Sequence, residues 1–215
     1  MKRQSASTAV LLRKAGTNAI DLREVFTCLE PQTGLPLKNG APAKGHICME
    51  HSLVASRDNL FHRFAELGIA VSTKEHPPVF TVEEARALRG AIPGGHCKNL
   101  FLKDKKGAIW LIVALEDTAI DLKSLPAKIG SGRLSFGSAE LMRQLLGVEP
   151  GSVTPFGLIN DHKRRVNVVL EEQMMRHELL NYHPLSNNAT TTIRSADLLR
   201  FIEACGHQPK IVPLA

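Results

Sequence analysis

The segment KNLFLKDKKGAIWLIVA, residues 98–114, decides the fold. Its two halves, residues 98–104 and 108–114, are rich in the apolar and β-branched residues that favour strands. Lys105, Lys106 and Gly107 form a short connection between the two runs. Two strand-like runs separated by three such residues predict a β-hairpin. We expect the first run to be a buried strand that begins at Lys98.

Helical and strand-like segments alternate around this hairpin. Capping residues and the spacing of apolar residues predict four helices, which start at Asp58, Thr81, Ser138 and Ser195 and end at Gly68, Gly90, Gly147 and Gly206. Short strands are predicted at residues 69–73, 165–170 and 211–212. This order is typical of an α+β, or mixed α/β, protein with one compact domain.

The composition excludes some kinds of function. The 215 residues carry a formal net charge of +6 and a pI near 9.3, which suits a polyanionic partner without requiring one. No apolar run approaches the roughly 20 residues that cross a bilayer, so we expect no membrane association. Cysteine and histidine spacing matches no zinc motif, and we expect neither a metal nor a cofactor. The scattered cysteines are Cys28, Cys48, Cys97 and Cys205.

Residues 1–50 differ from the rest of the chain. Residues 1–20 are basic, rich in Ser, Thr and Ala, and lack acids, as organellar transit peptides do. Residues 31–45 have the prolines and glycines of a linker. We expect an extension outside the domain, either a disordered tail or a start assigned upstream of Met49. A cytoplasmic protein is expected, with organellar import left open.

Four segments carry candidate chemistry. Residues 91–107 place the turn Pro93-Gly94-Gly95 before Lys98 and Asn99, where backbone amides could approach a ligand. Residues 130–138 hold Arg133 between glycines, residues 151–161 hold Gly151, Pro155 and Gly157, and residues 181–193 hold His183 before a proline. Taken singly, each segment also has a structural explanation: a solubilising lysine on an edge strand, a surface arginine in a loop, a connection between two elements, and a structural histidine.

Together the segments resemble a known family. HPPVFTVEEA, PGGHCKNLFLKD, WLIVAL, IGSGRLSFGS, GSVTPFGLIND and HPLSNNATTTI follow one another in this chain. They resemble the YbaK/ProX family, the relatives of the editing domain inserted in bacterial prolyl-tRNA synthetases, and most of all its free-standing alanyl-tRNA(Pro) deacylases. The resemblance runs over residues 56–213 and implies a curved mixed β-sheet flanked by helices.

The resemblance also implies roles for single residues. The family's principal lysine falls on Lys98, its GxxxP loop on residues 151–155 and the histidine of its HPL motif on His183. Lys103 and Arg133 become candidates for contacting the acceptor end of the tRNA. Cys97 departs from the family, which has a small hydroxyl residue there. A thiol mechanism is disfavoured because no base is evident for it.

The implied activity is hydrolysis of mischarged Ala-tRNA(Pro), with Lys98 as a cation and His183 positioning the aminoacyl end. Asn99 is expected to contact substrate, and Gly94, Gly95 and Gly157 are expected to supply amide donors. Phe80, Thr81 and residues 151–155 would form a pocket that excludes proline by size.

Two alternatives stay open: deacylation of Cys-tRNA(Pro) or another small mischarged residue, and a non-catalytic tRNA- or synthetase-binding module of the same fold. Expected partners are the tRNA(Pro) acceptor end and, transiently, prolyl-tRNA synthetase or an elongation factor. Membranes and DNA are not expected partners.

Overall fold

The strand Gly95–Asp104 is the one around which the sheet is assembled. The structure is a computed structural model that describes residues 54–77 and 92–214. The strands are β1 (Val71–Glu75), β2 (Gly95–Asp104), β3 (Ile109–Leu115), β4 (Leu134–Phe136), β5 (Val166–Glu171), β6 (Leu179–Tyr182), β7 (Ala189–Arg194) and β8 (Lys210–Val212). The α-helices are α1 (Arg57–Glu66), α2 (Leu125–Ile129), α3 (Ala139–Leu146) and α4 (Ser195–Ala204), with 3-10 helices at Pro155–Asn160 and Met174–Arg176.

The described strands form one eight-stranded mixed sheet in the order β1-β7-β6-β2-β3-β5-β8, with β4 paired to β2. β2 and β3 pair as an antiparallel hairpin, and β2 runs parallel to β6. The predicted hairpin and the predicted mixed α/β class are therefore confirmed.

Alternate residues of the central strands face two different cores. Phe101 on β2 belongs to the larger core, which also contains apolar residues of α1, α3, the first 3-10 helix and α4. The neighbouring Leu102 belongs to the smaller core, with Leu125 and Ile129 of α2 and Leu214. Because β3 contributes to both cores, it is buried on both faces. This two-sided burial explains its continuous apolar sequence.

The observed helix starts correct two predictions. α1 is capped by Ser56, whose side chain accepts a hydrogen bond from Asn59 N, so Asp58 lies inside the first turn. Ser138 caps α3 as predicted. Ser195 is the first residue of α4 rather than its cap, which is Arg194. Boundaries of this kind commonly shift by one or two residues because helix ends fray.

Other sequence predictions lie outside the described residues. They include the extension at residues 1–50 and the helix starting at Thr81. Within residues 54–77 and 92–214, no helix is both long and apolar enough to traverse a lipid bilayer.

Candidate functional site

A gap in strand pairing lies along one edge of β2. At the start of β2, Gly95 and His96 pair with β6, and at its end Leu102–Asp104 pair with β4. Among the described residues, no strand covers residues 97–101 on this edge. The segment that carries Lys98 and Asn99 therefore lies in a gap between β6 and β4.

The backbone of Asn99 points into this gap. Phe101 O accepts from Gly137 N on the β4 side, whereas His96 O accepts from Glu116 N on the β3 side. Since the N–H and C=O groups of successive strand residues point to opposite sides, those of Asn99 share the direction of Phe101. The gap thus presents one backbone donor and one acceptor where a ligand could bind.

The Lys98 ammonium is held by the loop that follows β3. Lys98 lies opposite Ala114 in the hairpin, and its Nζ donates to Glu116 O at 2.9 Å and also to Thr118 O. An ammonium group has three N–H donors, so one donor remains beyond these two bonds. The result is a half-buried cation in a fixed position.

That loop also forms one wall of a cavity of about 660 Å³, lined by Gly94, Gly95, His96, Leu115, Glu116, Asp117, Thr118 and His177. Lys98 does not line this cavity itself. Its ammonium binds carbonyl groups of two residues in the wall, Glu116 and Thr118. The predicted cation is therefore next to a concave surface, where it supports the wall.

Glu171 holds the same loop from the other side. Its carboxylate, 1% exposed, accepts from Leu115 N and from Thr118 Oγ1, both at 2.7 Å. Sequence reasoning did not select Glu171. The sequence did contain a signal, since Glu171 directly follows the valine-rich segment Val166–Leu170. A carboxylate is seldom buried in a sheet unless hydrogen-bond donors satisfy it.

Asn99 connects β2 to the GxxxP loop. Its Nδ2 donates to Val153 O at 2.9 Å, which fixes the orientation of the amide because the carbonyl can only accept. Asn99 Oδ1 is buried and has no hydrogen-bond partner among the described residues. The structure thus brings together two of the predicted elements, Asn99 and residues 151–155, and leaves one acceptor for a ligand donor.

His183 follows β6 directly. The parallel register pairs Gly95 with Leu180 and His96 with Asn181, and His183 comes two residues after Asn181. The Nδ1 atom of His183 lies 3.1 Å from Ala189 O. A carbonyl oxygen only accepts, so Nδ1 carries the proton. Nearby Leu185 has a φ of 67°, which is uncommon for leucine.

The predicted site glycines Gly94 and Gly157 have different structural roles. Gly94 has a φ of 102°, and a Cβ atom there would lie 2.7 Å from Leu179 O, so the close approach to β6 requires glycine. Gly157 contradicts the prediction of an amide donor because its N–H donates to Thr154 O. A Cβ at Gly157 would lie 2.9 Å from Leu146 Cβ, so this glycine serves packing.

Lys103 and Arg133 lie at the far end of β2, away from Lys98. Lys103 pairs with Ser135 of β4, and Lys105 N donates to Arg133 O at 3.1 Å. Lys103 lies five positions after Lys98 along β2, a distance of about 17 Å. The structure therefore places Lys103 and Arg133 near each other but not in the gap.

Cys97 is unsuited to act as a nucleophile. Burial raises the pKa of its thiol to about 11, although a hydrogen bond with Tyr182 opposes this shift. The thiol is consequently protonated near neutral pH, and the thiolate is the reactive form.

Two predicted pocket residues, Phe80 and Thr81, lie outside the described residues. In the described part of the chain, no group of three or more His, Cys, Asp or Glu side chains is placed to hold a metal ion.

Comparison with known proteins decides the family. The model of the aminoacyl-tRNA editing domain matches residues 76–201, more than half of the chain. The chain belongs to this family. Prolyl-tRNA editing protein ProX of Acetoanaerobium sticklandii is 38% identical over 69% of this chain and 92% of its own length. Prolyl-tRNA synthetase associated domain-containing protein 1 of Bos taurus is 39% identical over 73% of this chain and 94% of its own length.

Solved structures agree with this family at the level of the fold. A crystal structure described as "a putative trans-editing enzyme for prolyl tRNA synthetase" superposes with a TM-score of 0.57 and 21% identity. The match covers 78% of this chain and 99% of that chain. The editing-domain sheet is thus shared, while function must be argued from the site itself.

Proposed function

We propose that this editing-domain protein hydrolyses the aminoacyl ester of mischarged tRNA(Pro), with alanine as the amino acid removed. The observation that carries the proposal is the Lys98 ammonium, fixed by Glu116 O and Thr118 O beside the cavity of about 660 Å³. The relative named as a prolyl-tRNA editing protein, which is matched over 92% of its length, supports tRNA(Pro) as the tRNA.

The reaction needs a positioned water rather than a covalent intermediate, because an aminoacyl ester is already activated. The water oxygen attacks the ester carbonyl carbon, a tetrahedral oxyanion forms, and the ester bond to the terminal ribose breaks. The ribose hydroxyl leaves with a proton, and free alanine and intact tRNA are released. Lys98 contributes positive charge toward the terminal phosphate or the oxyanion, an electrostatic contribution that often dominates catalysis.

Neighbouring groups would orient the substrate. Asn99 offers the buried Oδ1 acceptor and the backbone groups that face the gap, which suit the donors of an amino group or a ribose hydroxyl. His183 would position the aminoacyl end, and Gly94 and Gly95 supply backbone at the cavity wall. Phe80 and Thr81 stay part of the proposal as pocket walls. Gly157 does not, because its amide is already bonded.

Exclusion by size would provide selectivity. A pocket that admits a methyl side chain rejects the pyrrolidine ring by steric overlap. Discrimination by attraction alone is weaker, since one methylene is worth only about 1–3 kcal/mol. The alternative substrates are Cys-tRNA(Pro) and other tRNAs with small mischarged residues. The proposed partners are the tRNA(Pro) acceptor end and, transiently, prolyl-tRNA synthetase.

The test is a deacylation assay with Ala-, Cys-, Ser- and Pro-tRNA(Pro). We expect hydrolysis of Ala-tRNA(Pro) and no hydrolysis of Pro-tRNA(Pro). Lys98→Met, which keeps the length of the side chain without its charge, should lower kcat/KM by about 100-fold, comparable to the loss of one oxyanion donor. Persistence of intact Ala-tRNA(Pro) with the native protein would reject the function.

Two variants separate the function from the mechanism. Lys123→Met removes an exposed lysine to which no role in the site is assigned, and it should leave the rate unchanged. If Lys98→Met is as active as this control, Lys98 has no part in hydrolysis, although the function stands. A non-catalytic binding module would bind tRNA(Pro) without cleaving any of the four esters.

A further inference from the structure

Exposed cations gather at the end of the sheet where β2 stops and β3 and β5 begin. The three strand ends are aligned because Ile109 pairs with both Lys103 and Val166. We define the basic edge by the exposed cations of the turns and strand ends at this place, which are Lys103, Lys105, Lys106, Arg133, Lys163, Arg164 and Arg165. No motif of the family resemblance includes residues 162–165.

The arginines of the basic edge differ from the other arginines of the described chain. Each of the others lies within 4.0 Å of a carboxylate: Arg57, Arg63, Arg143, Arg176, Arg194 and Arg200. Within residues 54–77 and 92–214, Arg133, Arg164 and Arg165 have no such ion pair. Guanidinium groups without carboxylates are therefore concentrated at this edge.

The two acids at this end of the sheet face inward. Asp104, 6% exposed, accepts from the backbone N–H groups of Lys106, Ala108 and Gly132 at 2.8–3.1 Å. It therefore fixes both the hairpin turn and the segment before Arg133. The carboxylates hold the turns while the cations point to solvent.

Asp161 does the same for the turn before β5. It is 2% exposed, and its Oδ2 accepts from Val166 N at 2.7 Å. Arg164 N donates to Asp161 O at 2.9 Å, and Arg164 has a φ of 53°. The turn that presents Lys163, Arg164 and Arg165 is thus held in one conformation by backbone hydrogen bonds.

A polar cavity continues the basic edge. It has a volume of about 260 Å³, and its lining includes Arg164, Asn167, Gln208 and Lys210. These side chains offer two positive charges and two amide groups to a ligand. Phosphate oxygens accept hydrogen bonds from all of these groups.

We propose that the basic edge binds the phosphate backbone of tRNA beyond its 3′ end, with Lys163 and Arg165 as contacts. The inference rests on the proposed function for the identity of the RNA. Lys98 and Lys103 are roughly 17 Å apart along β2. On this proposal, the ester of the tRNA would bind near Lys98 while the acceptor stem binds at the basic edge. Contacts of this kind position the RNA without reading its sequence.

The test compares two charge-reversed forms of the full chain. The first carries Lys163→Glu and Arg165→Glu. The second, a matched control with the same change in net charge, carries Lys74→Glu and Lys123→Glu on exposed lysines outside the basic edge. Arg164 is left intact because its backbone conformation and its packing against Gly206 would confuse the result.

The measurement is the Kd for uncharged tRNA(Pro) transcript, by fluorescence anisotropy over a series of KCl concentrations. The edge variant should bind at least about tenfold more weakly than the control. The slope of log K against log salt should be smaller by about 1–2, as expected for losing two phosphate contacts. Equal Kd values and equal slopes for the two variants overturn the proposal.

Two further measurements distinguish tRNA binding at the basic edge from other effects of the substitutions. An aminoacylated CCA trinucleotide should respond to the edge substitutions less than full Ala-tRNA(Pro) does, and an equal response would place the defect in the gap. Binding to phosphatidylserine vesicles that depends on Lys163 and Arg165, without any change in tRNA affinity, would identify a membrane surface instead. Because the Kd uses uncharged tRNA, it stays informative even if deacylation is absent.

Discussion

Lys98 and Asn99 are neighbours in sequence but act on opposite faces of β2. Strand alternation directs Lys98 toward the loop after β3 and Asn99 toward the loop at residues 151–155. One dipeptide thus connects two loops that are distant in the chain. A shift of β2 by one residue would move each side chain to the other face of the sheet and break both sets of hydrogen bonds.

Gly94 tests how closely β2 must approach β6. Gly94→Ala should destabilise the fold because its Cβ would lie 2.7 Å from Leu179 O at a φ of 102°. Beyond the cost of a positive φ, we expect about 1–3 kcal/mol for this overlap, measured by urea unfolding. Deacylation should also fall, since His183 directly follows β6.

Gly107→Ala is the control for this prediction. Gly107 has a φ of 86°, and nothing lies within 4 Å of an added Cβ. It should cost only about 1–2 kcal/mol for the backbone conformation. Equal losses for the two variants would show that contact with Leu179 is unimportant.

Some site features could be predicted from the sequence and others could not. The family resemblance selects Lys98 and Asn99 through the KN pair and His183 through the HPL motif. The partners of Lys98 are backbone carbonyls, which every residue has, so no sequence pattern indicates them. Gly157 was misassigned because a glycine that permits close packing cannot be distinguished in sequence from one that exposes its amide.

At the scale of elements, β2 forms the gap because it pairs with β6 at its start and with β4 at its end. The hairpin with β3 was predictable because it is local and carries its own turn. The parallel pairing with β6 was not, because the register Gly95–Leu180 depends on how distant segments pack together. The gap between β6 and β4 results from that pairing, so it could not be predicted from the sequence either.

The loop after β3 depends on Glu171 at the end of β5. Glu171→Gln should disturb it, because an amide offers only one acceptor oxygen for the two donors Leu115 N and Thr118 Oγ1. The unpaired donor should cost about 1–3 kcal/mol. We expect kcat/KM for Ala-tRNA(Pro) to fall at least about tenfold, since the carbonyls that hold Lys98 move with the loop.

Glu172→Gln provides the comparison at the next position. Glu172 is exposed and pairs with Arg176 at the surface, so its loss should change stability by less than about 1 kcal/mol. A Glu171→Gln protein with normal kcat/KM, despite lower stability, would restrict Glu171 to a structural role.

At the scale of the whole molecule, an aromatic cluster joins elements that the sheet does not. Phe156 in the 3-10 helix packs against Phe64 of α1, Phe201 of α4 and Tyr182 of β6, with ring centroids 5.1–5.7 Å apart. The GxxxP loop is thereby tied to the larger core. Phe156 directly follows this loop, and its burial anchors the end of the loop in the core.

Phe156→Ala should therefore lower the free energy of unfolding by about 3–5 kcal/mol, the usual cost of removing a buried ring. Phe136→Ala makes the same chemical change on a side chain that is 66% exposed, and it should change stability by less than about 0.5 kcal/mol. Chemical denaturation of both variants checks the difference. Similar midpoints would mean that the cluster does not hold the fold together.

The short junction between β2 and β6 bears on how such a protein can diverge. Two residue pairs, Gly95–Leu180 and His96–Asn181, join these strands, and the side chains of Leu115 and Leu180 lie beside Gly95. Replacing those side chains would change the space next to Gly95 at the cavity wall while leaving the lysine and the asparagine in place. On the proposed function, a new amino-acid preference can therefore evolve without reinventing the hydrolysis.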